Sequence, residues 1–258
     1  HLETPELRGT CQPLIVNTYA AFGSGPEMNE KNVREQMELA AEAGCELFIL
    51  DAGWQQSIGE WVPHREKFPN GLRPLADRAH ELGMKFGIWA ELESADLDSK
   101  TCLEHPEWIM TFPGQGFRSE LRENENRALL NFAIPDVMEA MYTAIDRQIS
   151  EAGLDYFKID MNRCFTMPGW ENPPSSGERS IWVRYVENLY ELFARLRKRH
   201  PNLMMENCAC GNGRADWGFQ RFFNRNNRSD NQDTLDVLDI QEGFSYCLLY
   251  TSDAADDK

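Results

Sequence analysis

Short apolar runs alternate with stripes at helical spacing along most of the chain. Leu14 to Tyr19 reads as a short buried strand. Asn29 has the chemistry of a helix cap, and Val33, Met37 and Ala40 then fall on one face as far as about Ala43, before Gly44. The continuous run Leu47 to Leu50 predicts a second strand, ending in Asp51-Ala52-Gly53-Trp54. A helix is expected over Leu72–Leu82 and a third strand over Lys85–Trp89, ending near Glu91. Leu129 to Phe132 reads as a short extended piece. Pro135 opens a helix to about Ala152, with Met138, Tyr142, Ile145 and Ile149 on one face. Tyr156 to Asp160 is the next strand, a loop with Pro168, Pro173 and Pro174 follows, and a long helix covers about Arg179–Arg199. Leu203 to Asn207 is again strand-like, and Arg221 to Asn224 more weakly so.

Repeated strand-then-helix units with wholly apolar strands predict a parallel sheet buried on both faces. Polar residues gather just after the strands, at Asp51, Glu91, Asp160, Cys208 and Asp230. A (β/α)8 TIM barrel places its active site at those C-terminal strand ends. The competing doubly wound sheet carries a glycine-rich phosphate loop after its first strand, and Ala20 to Gly25 is a poor one. The expected fold is therefore a (β/α)8 barrel truncated before its last strands, since about six strands are countable. Residues 1–246 are assigned to this incomplete barrel, and 247–258 read as a non-native or disordered tail. The chain begins at His1, as a fragment or processed form does.

Composition narrows the function. Asp and Glu number 42 against 26 Lys and Arg, a net charge of −16, which argues against nucleic acid or an anionic membrane as partner. No apolar run reaches the ~20 residues of a membrane helix, and no secretory leader is visible. The seven cysteines are odd in number and scattered, which fits free thiols in a reducing compartment, with the cytoplasm expected. Cys208 and Cys210 lack a histidine pair at ligand spacing, so no metal is expected. His64, His80, His105 and His200 are isolated and read as structural or solvent-facing.

Cleaving a glycosidic bond takes two carboxyl groups flanking it, and sugar recognition takes polar groups around an aromatic wall. Candidate acids are Asp51, Glu91, Glu93, Asp160, Glu206, Asp216, Asp230 and Asp233, with Trp54, Trp61 and Trp89 near them in sequence. With 42 acids present, composition alone cannot choose among them. Position favours Asp160, because the two-residue period puts Lys158 on its side of the strand. Such a pair is either a buried structural ion pair or a nucleophile kept ionised by the lysine.

The same residues carry a family resemblance. Leu50-Asp51-Ala52-Gly53-Trp54 resembles the D-D-G-W block of glycoside hydrolase family 36, the microbial α-galactosidases and relatives. Gly59-Glu60-Trp61, Lys67 to Leu72 (K-F-P-N-G-L), Gly83 to Glu93 (G-M-K-F-G-I-W-A-E-L-E) and His105-Pro106-Glu107-Trp108 match further blocks in the same order. So do Lys158-Ile159-Asp160-Met161-Asn162-Arg163, the stretch Glu206 to Asp216, and Arg228 to Asp233 followed by Ile240-Gln241. The resemblance runs from about Pro13 to Tyr246 and implies a retaining exo-α-glycosidase acting on terminal α-galactosides of oligosaccharides. It implies Asp160 as nucleophile and Asp230 as general acid/base. Asp51, Trp54, Trp89, Lys158, Asn162, Cys208 and Gly211 would line the sugar site, with no cofactor. Glu91 and Glu93 read either as sugar contacts or as anchors behind the site, and Trp54, Trp61 and Trp89 also have an ordinary packing reading.

Ala52 stands where the family has a second Asp, and Cys210 and Asn212 interrupt a glycine-rich stretch. These departures leave open an α-N-acetylgalactosaminidase. A catalytically silent sugar-binding barrel is the alternative of another class. An oligomer is possible in the full-length protein.

Overall fold

A computed structural model describes residues 13–114, 126–162, 165, 167, 169–173, 180–231 and 233–247. In chain order the elements begin with β1 (Ile15–Asn17), α1 (Tyr19–Phe22), α2 (Glu30–Glu42), β2 (Leu47–Leu50), β3 (Gln55–Ser57), β4 (Glu60–Pro63), α3 (Arg73–Glu81) and β5 (Lys85–Ala90). Next come β6 (Ser94–Asp96), α4 (Lys100–Glu104), a 3-10 turn (Pro106–Trp108), β7 (Arg127–Leu129), α5 (Pro135–Ala152), β8 (Tyr156–Ile159) and α6 (Ile181–Arg199). The last are β9 (Met204–Asn207), the single turn α7 (Ala209–Asn212), α8 (Trp217–Gln220), β10 (Arg225–Asn226) and α9 (Thr234–Cys247).

Six strands form one parallel sheet in the order β1-β2-β5-β8-β9-β10. Strand alternation gives this sheet two different faces. Ile15, Leu47, Ile49, Tyr156 and Met204 meet on one face in a small apolar cluster. Phe48, Leu50, Phe86, Ile88, Phe157, Ile159 and Met205 point the other way and join the large core with the helices. Both sides being buried, the strands read as unbroken apolar runs rather than alternating ones. Each fully buried Phe or Leu in that helix-facing layer contributes roughly 1.5–3 kcal/mol.

Local signals start the helices where expected. The Asn29 side chain accepts from the backbone N–H of Asn32 at 3.1 Å, capping α2. Val33, Met37 and Ala40 are its buried stripe. Pro135 occupies the first turn of α5, where a missing N–H costs nothing.

One strand assignment is corrected, and two pairings add to what the chain's pattern predicts. Arg221 to Asn224 is not a strand: Phe222 and Phe223 are buried after α8, packed on Phe193, and the strand begins at Arg225. Leu129 lies in β7, an antiparallel partner of β6 outside the main sheet, and Leu130 bridges Ile109. The β3–β4 hairpin was not anticipated, because its residues alternate weakly; it pairs Gln55 with Pro63 and Ser57 with Glu60. Arg163, Pro168, Pro174 and residues 248–258 lie outside the described residues. Among the described residues, no helix is long and apolar enough to cross a membrane.

Candidate active site

The strand face that carries the small apolar cluster turns polar toward its C-terminal end. Asn17, Asp51, Trp89, Lys158, Asp160, Glu206 and Cys208 continue the positions of that face on successive strands. Polar side chains after β2, β5, β8 and β9 are thus brought to one end of the sheet.

Asp160 follows β8 directly, and its carboxylate is held by four donors. Oδ2 accepts from the Trp89 indole Nε1 at 2.9 Å and from Asn162 Nδ2 at 3.0 Å. Oδ1 accepts from the backbone N–H of Met161 at 2.8 Å and of Cys210 at 2.9 Å. Burial alone would raise the pKa of this acid; the donors from Cys210, Trp89, Asn162 and Met161 outweigh it and hold the pKa below the usual carboxylate range. The group is thus buried and ionised.

Lys158 sits two residues back on the same face. Its Nζ lies 3.4 Å from Oδ2 of Asp51, with both side chains largely buried. Burial works against the charged lysine, but Asp51, Glu206 and Asp160 around it raise its pKa overall. Asp51 is itself fixed: it accepts from Asn17 Nδ2 at 2.5 Å, its Oδ1 takes the N–H of Ala52 at 2.8 Å, and its own N–H donates to Thr18 Oγ1 at 2.9 Å. Asn17 and Thr18 were missed from the sequence. Their only signal is that they close β1 at the level where Asp51 follows β2.

Beyond β9 the chain makes a tight left-handed turn. Ala209 (φ 58°), Cys210 (φ 52°) and Gly211 (φ 75°) are all in positive φ, and this points the Cys210 N–H at Asp160. A Cβ on Gly211 would stand 3.4 Å from Ser229 Cα and 3.7 Å from the Asp230 nitrogen. One turn therefore touches Asp160 on one side and the backbone of Asp230 on the other. Asp230 is exposed and accepts from Asn227 Nδ2 at 2.8 Å. Asn227 also donates to the Cys208 sulfur at 3.2 Å. Cys208 is buried, and burial first, then the nearby Asp160 charge, pushes its thiol up to about 12, so it stays protonated at neutral pH.

Trp89 is at the site through its indole N–H. Trp54 is not: it is fully buried, its Nε1 donates to the Trp89 carbonyl at 2.7 Å, and it packs on Trp61 behind the wall. Asp216 and Asp233 are structural as well. Asp216 caps α8 by accepting from the N–H groups of Gly218 and Phe219. Asp233 accepts from those of Leu235 and Asp236 at the start of α9. Glu206 is buried and takes the Tyr156 hydroxyl and, at 3.1 Å, the Arg225 guanidinium.

Glu91 and Glu93, both buried after β5, anchor the site from behind. Glu91 accepts from the backbone N–H and Nδ2 of Asn162, each at 3.0 Å. Glu93 accepts from Tyr185 Oη at 2.8 Å and pairs with Arg214, which follows the Cys210 turn. Burial pulls the Arg214 guanidinium down to about 10, so it remains charged at neutral pH. His80 and His200 pair with acids away from Asp160: His80 meets Asp155 at 2.7 Å and His200 meets Asp146 at 2.7 Å. Among the described residues, no group of His, Cys, Asp and Glu side chains could hold a metal ion.

Parallel βα units with buried and exposed acids at their C-terminal strand ends define an α/β protein built on a six-stranded parallel sheet. The Melibiase family model matches residues 1–255, and the chain belongs to that family. It is 34% identical over 251 residues to "Alpha-galactosidase AgaA" of Geobacillus stearothermophilus, covering 95% of this chain and 33% of that protein. The GH36 α-galactosidase AgaB of Geobacillus stearothermophilus superposes with a TM-score of 0.86 at 33% identity, over 95% of this chain and 34% of its own. An AgaA variant solved in complex with stachyose gives a TM-score of 0.86 at 32% identity, over 95% of this chain and 34% of its own. The chain spans about a third of the length of the curated relatives it matches.

Proposed function

We propose that this protein is a retaining exo-α-glycosidase that hydrolyses terminal α-galactosides of oligosaccharides, on a (β/α)8 barrel to which the six parallel strands belong. The observation that carries the reading is the Asp160 carboxylate, buried yet kept ionised by four donors at the mouth of the sheet. The relatives named as α-galactosidases, one of them holding stachyose, support the substrate class.

In the first step Asp160 attacks the anomeric carbon. The glycosidic C–O bond breaks as Asp230 gives its proton to the leaving oxygen. In the second step Asp230 takes a proton from water, the oxygen attacks the anomeric carbon, and the ester bond to Asp160 breaks. Lys158 and Asp51 offer a charged donor and acceptor to sugar hydroxyls, Trp89 walls the pocket, and Cys208 and Gly211 let the ring approach the backbone. Asn162 is exposed and so reaches both Asp160 and a bound sugar. No step calls for a cofactor. The small Ala52 side chain beside Asp51 favours a second reading, an α-N-acetylgalactosaminidase, in which a bulkier substituent is admitted. Cys45, Cys102 and Cys208, none of them in a disulfide, support a reducing, cytoplasmic setting.

The test is Asp160→Asn in the full-length protein, assayed on aryl α-galactosides and aryl α-N-acetylgalactosaminides. Hydrolysis is expected to be abolished, and undiminished turnover refutes the nucleophile assignment. The relative rates of the unmutated protein on the two glycosides decide between the readings. Nuclear magnetic resonance of the first-formed sugar is expected to show the α-anomer; the β-anomer would mean inversion.

A further inference from the structure

We infer that Glu91 is a positioning residue for Asp160, acting through Asn162; the inference rests on the reading of Asp160 as nucleophile. Glu91 is wholly buried, so it does not meet substrate directly. Its Oε1 accepts the backbone N–H of Asn162 at 3.0 Å, and its Oε2 accepts Asn162 Nδ2 at 3.0 Å. The same Nδ2 donates its other hydrogen to Oδ2 of Asp160 at 3.0 Å.

The chemistry of the carboxylate fixes the sense of this relay. An ionised Glu only accepts, whereas an Asn amide presents a donor end and an acceptor end. With Glu91 on one side and Asp160 on the other, the NH2 end alone satisfies both, and the carbonyl end is turned away. Glu91 is itself fixed by Ser94 Oγ at 2.6 Å and by Arg127 Nη1 at 3.3 Å. The amide thus arrives already oriented, and Asp160 Oδ2 is held between Asn162 and Trp89 without rearrangement at the moment of attack. A purely structural role, neutralising Arg127, would leave Asp160 indifferent to Glu91.

The experiment measures kcat and KM on p-nitrophenyl α-galactoside for Glu91→Gln, Asn162→Ala and the double variant in the full-length protein, with melting curves for each. Gln keeps the shape but turns one accepting oxygen into a donor facing Asn162 or its neighbours. Each single change is expected to lower kcat about 10- to 100-fold, the scale of a small misplacement of a reacting group. The constant for inhibition by galactose should be unchanged in Glu91→Gln, and the double variant should be no slower than the slower single. Wild-type kcat in Glu91→Gln, or a double variant slowed by the product of the two single losses, overturns the inference. Because Asn162 is exposed, its variant keeps the test alive should Glu91→Gln not fold: wild-type kcat in Asn162→Ala also overturns it. Asp160→Gly, assayed beside them, separates the two failures. If it is inactive while Glu91→Gln is normal, only the role of Glu91 falls; if it is fully active, the reading of Asp160 falls and this inference with it.

Discussion

The backbone N–H of Cys210 donates to Oδ1 of Asp160 at 2.9 Å, across 50 residues of chain. The bond exists because three consecutive residues after β9 hold positive φ, a conformation that costs non-glycine residues roughly 1–2 kcal/mol each. Ala209 and Cys210 carry that cost, and Gly211 escapes it.

Gly211→Ala tests this turn. A Cβ there meets Ser229 Cα at 3.4 Å and adds the positive-φ penalty, so about 1–2 kcal/mol of stability should be lost. Since the turn touches both Asp160 and Asp230, kcat/KM should fall well below what the loss of folded protein explains. Urea melts and kinetics on the same samples check this; proportional losses in both would show that the turn serves folding alone.

The four donors to Asp160 make a pH prediction. Its folded pKa lies below the unfolded value of about 3.9, so its contribution to stability is complete above that value. The contribution is lost as pH falls through the lowered folded pKa. Trp89→Phe removes one donor and should move the acid limb of kcat/KM to higher pH. An unmoved limb would mean that another group controls it.

Lys158 and Asp51 are buried together at 3.4 Å. Lys158→Met leaves the Asp51 charge without its cation and should cost about 3–5 kcal/mol. Adding Asp51→Asn removes that stranded charge, so the double variant should recover most of the loss. With the lysine pKa raised, the contribution of its charge is complete below its unfolded pKa of about 10 and is lost only as pH climbs through the folded value. Chemical denaturation of the single and double variants over pH measures both effects.

Gly87 lies on β5 beside Tyr156, and an added Cβ would stand 2.6 Å from the Tyr156 Cβ and 2.8 Å from its carbonyl oxygen. Both are main-chain or near-main-chain atoms that cannot swing aside. Gly87→Ala should therefore lose at least ~1–3 kcal/mol by overpacking between the central strands. A melting temperature equal to wild type would show that the sheet yields there.

The sequence by itself determined the main apolar strands and the longer helices, because burial on both sheet faces and one-sided helix burial leave local signatures. Leu47 to Leu50, the Val33, Met37, Ala40 stripe and the Asn29 cap are such cases. It also placed Asp51, Lys158 and Asp160 at strand ends, since period and run length are local properties. The tertiary structure alone decided their partners. Asn17 reaches Asp51 over 34 residues and Trp89 reaches Asp160 over 71, and no local pattern encodes a contact across that separation. Trp54 and Trp89 look alike in sequence and both are buried, yet the Trp54 indole donates to the Trp89 carbonyl and the Trp89 indole to Asp160, because only packing decides which partner an indole reaches. Asp216 and Asp233 are acids near the motifs like Asp160, but each is spent on helix N–H groups. The strand begins at Arg225, past the apolar run at Phe222 and Phe223, whose rings pack on Phe193, a residue far away in the chain.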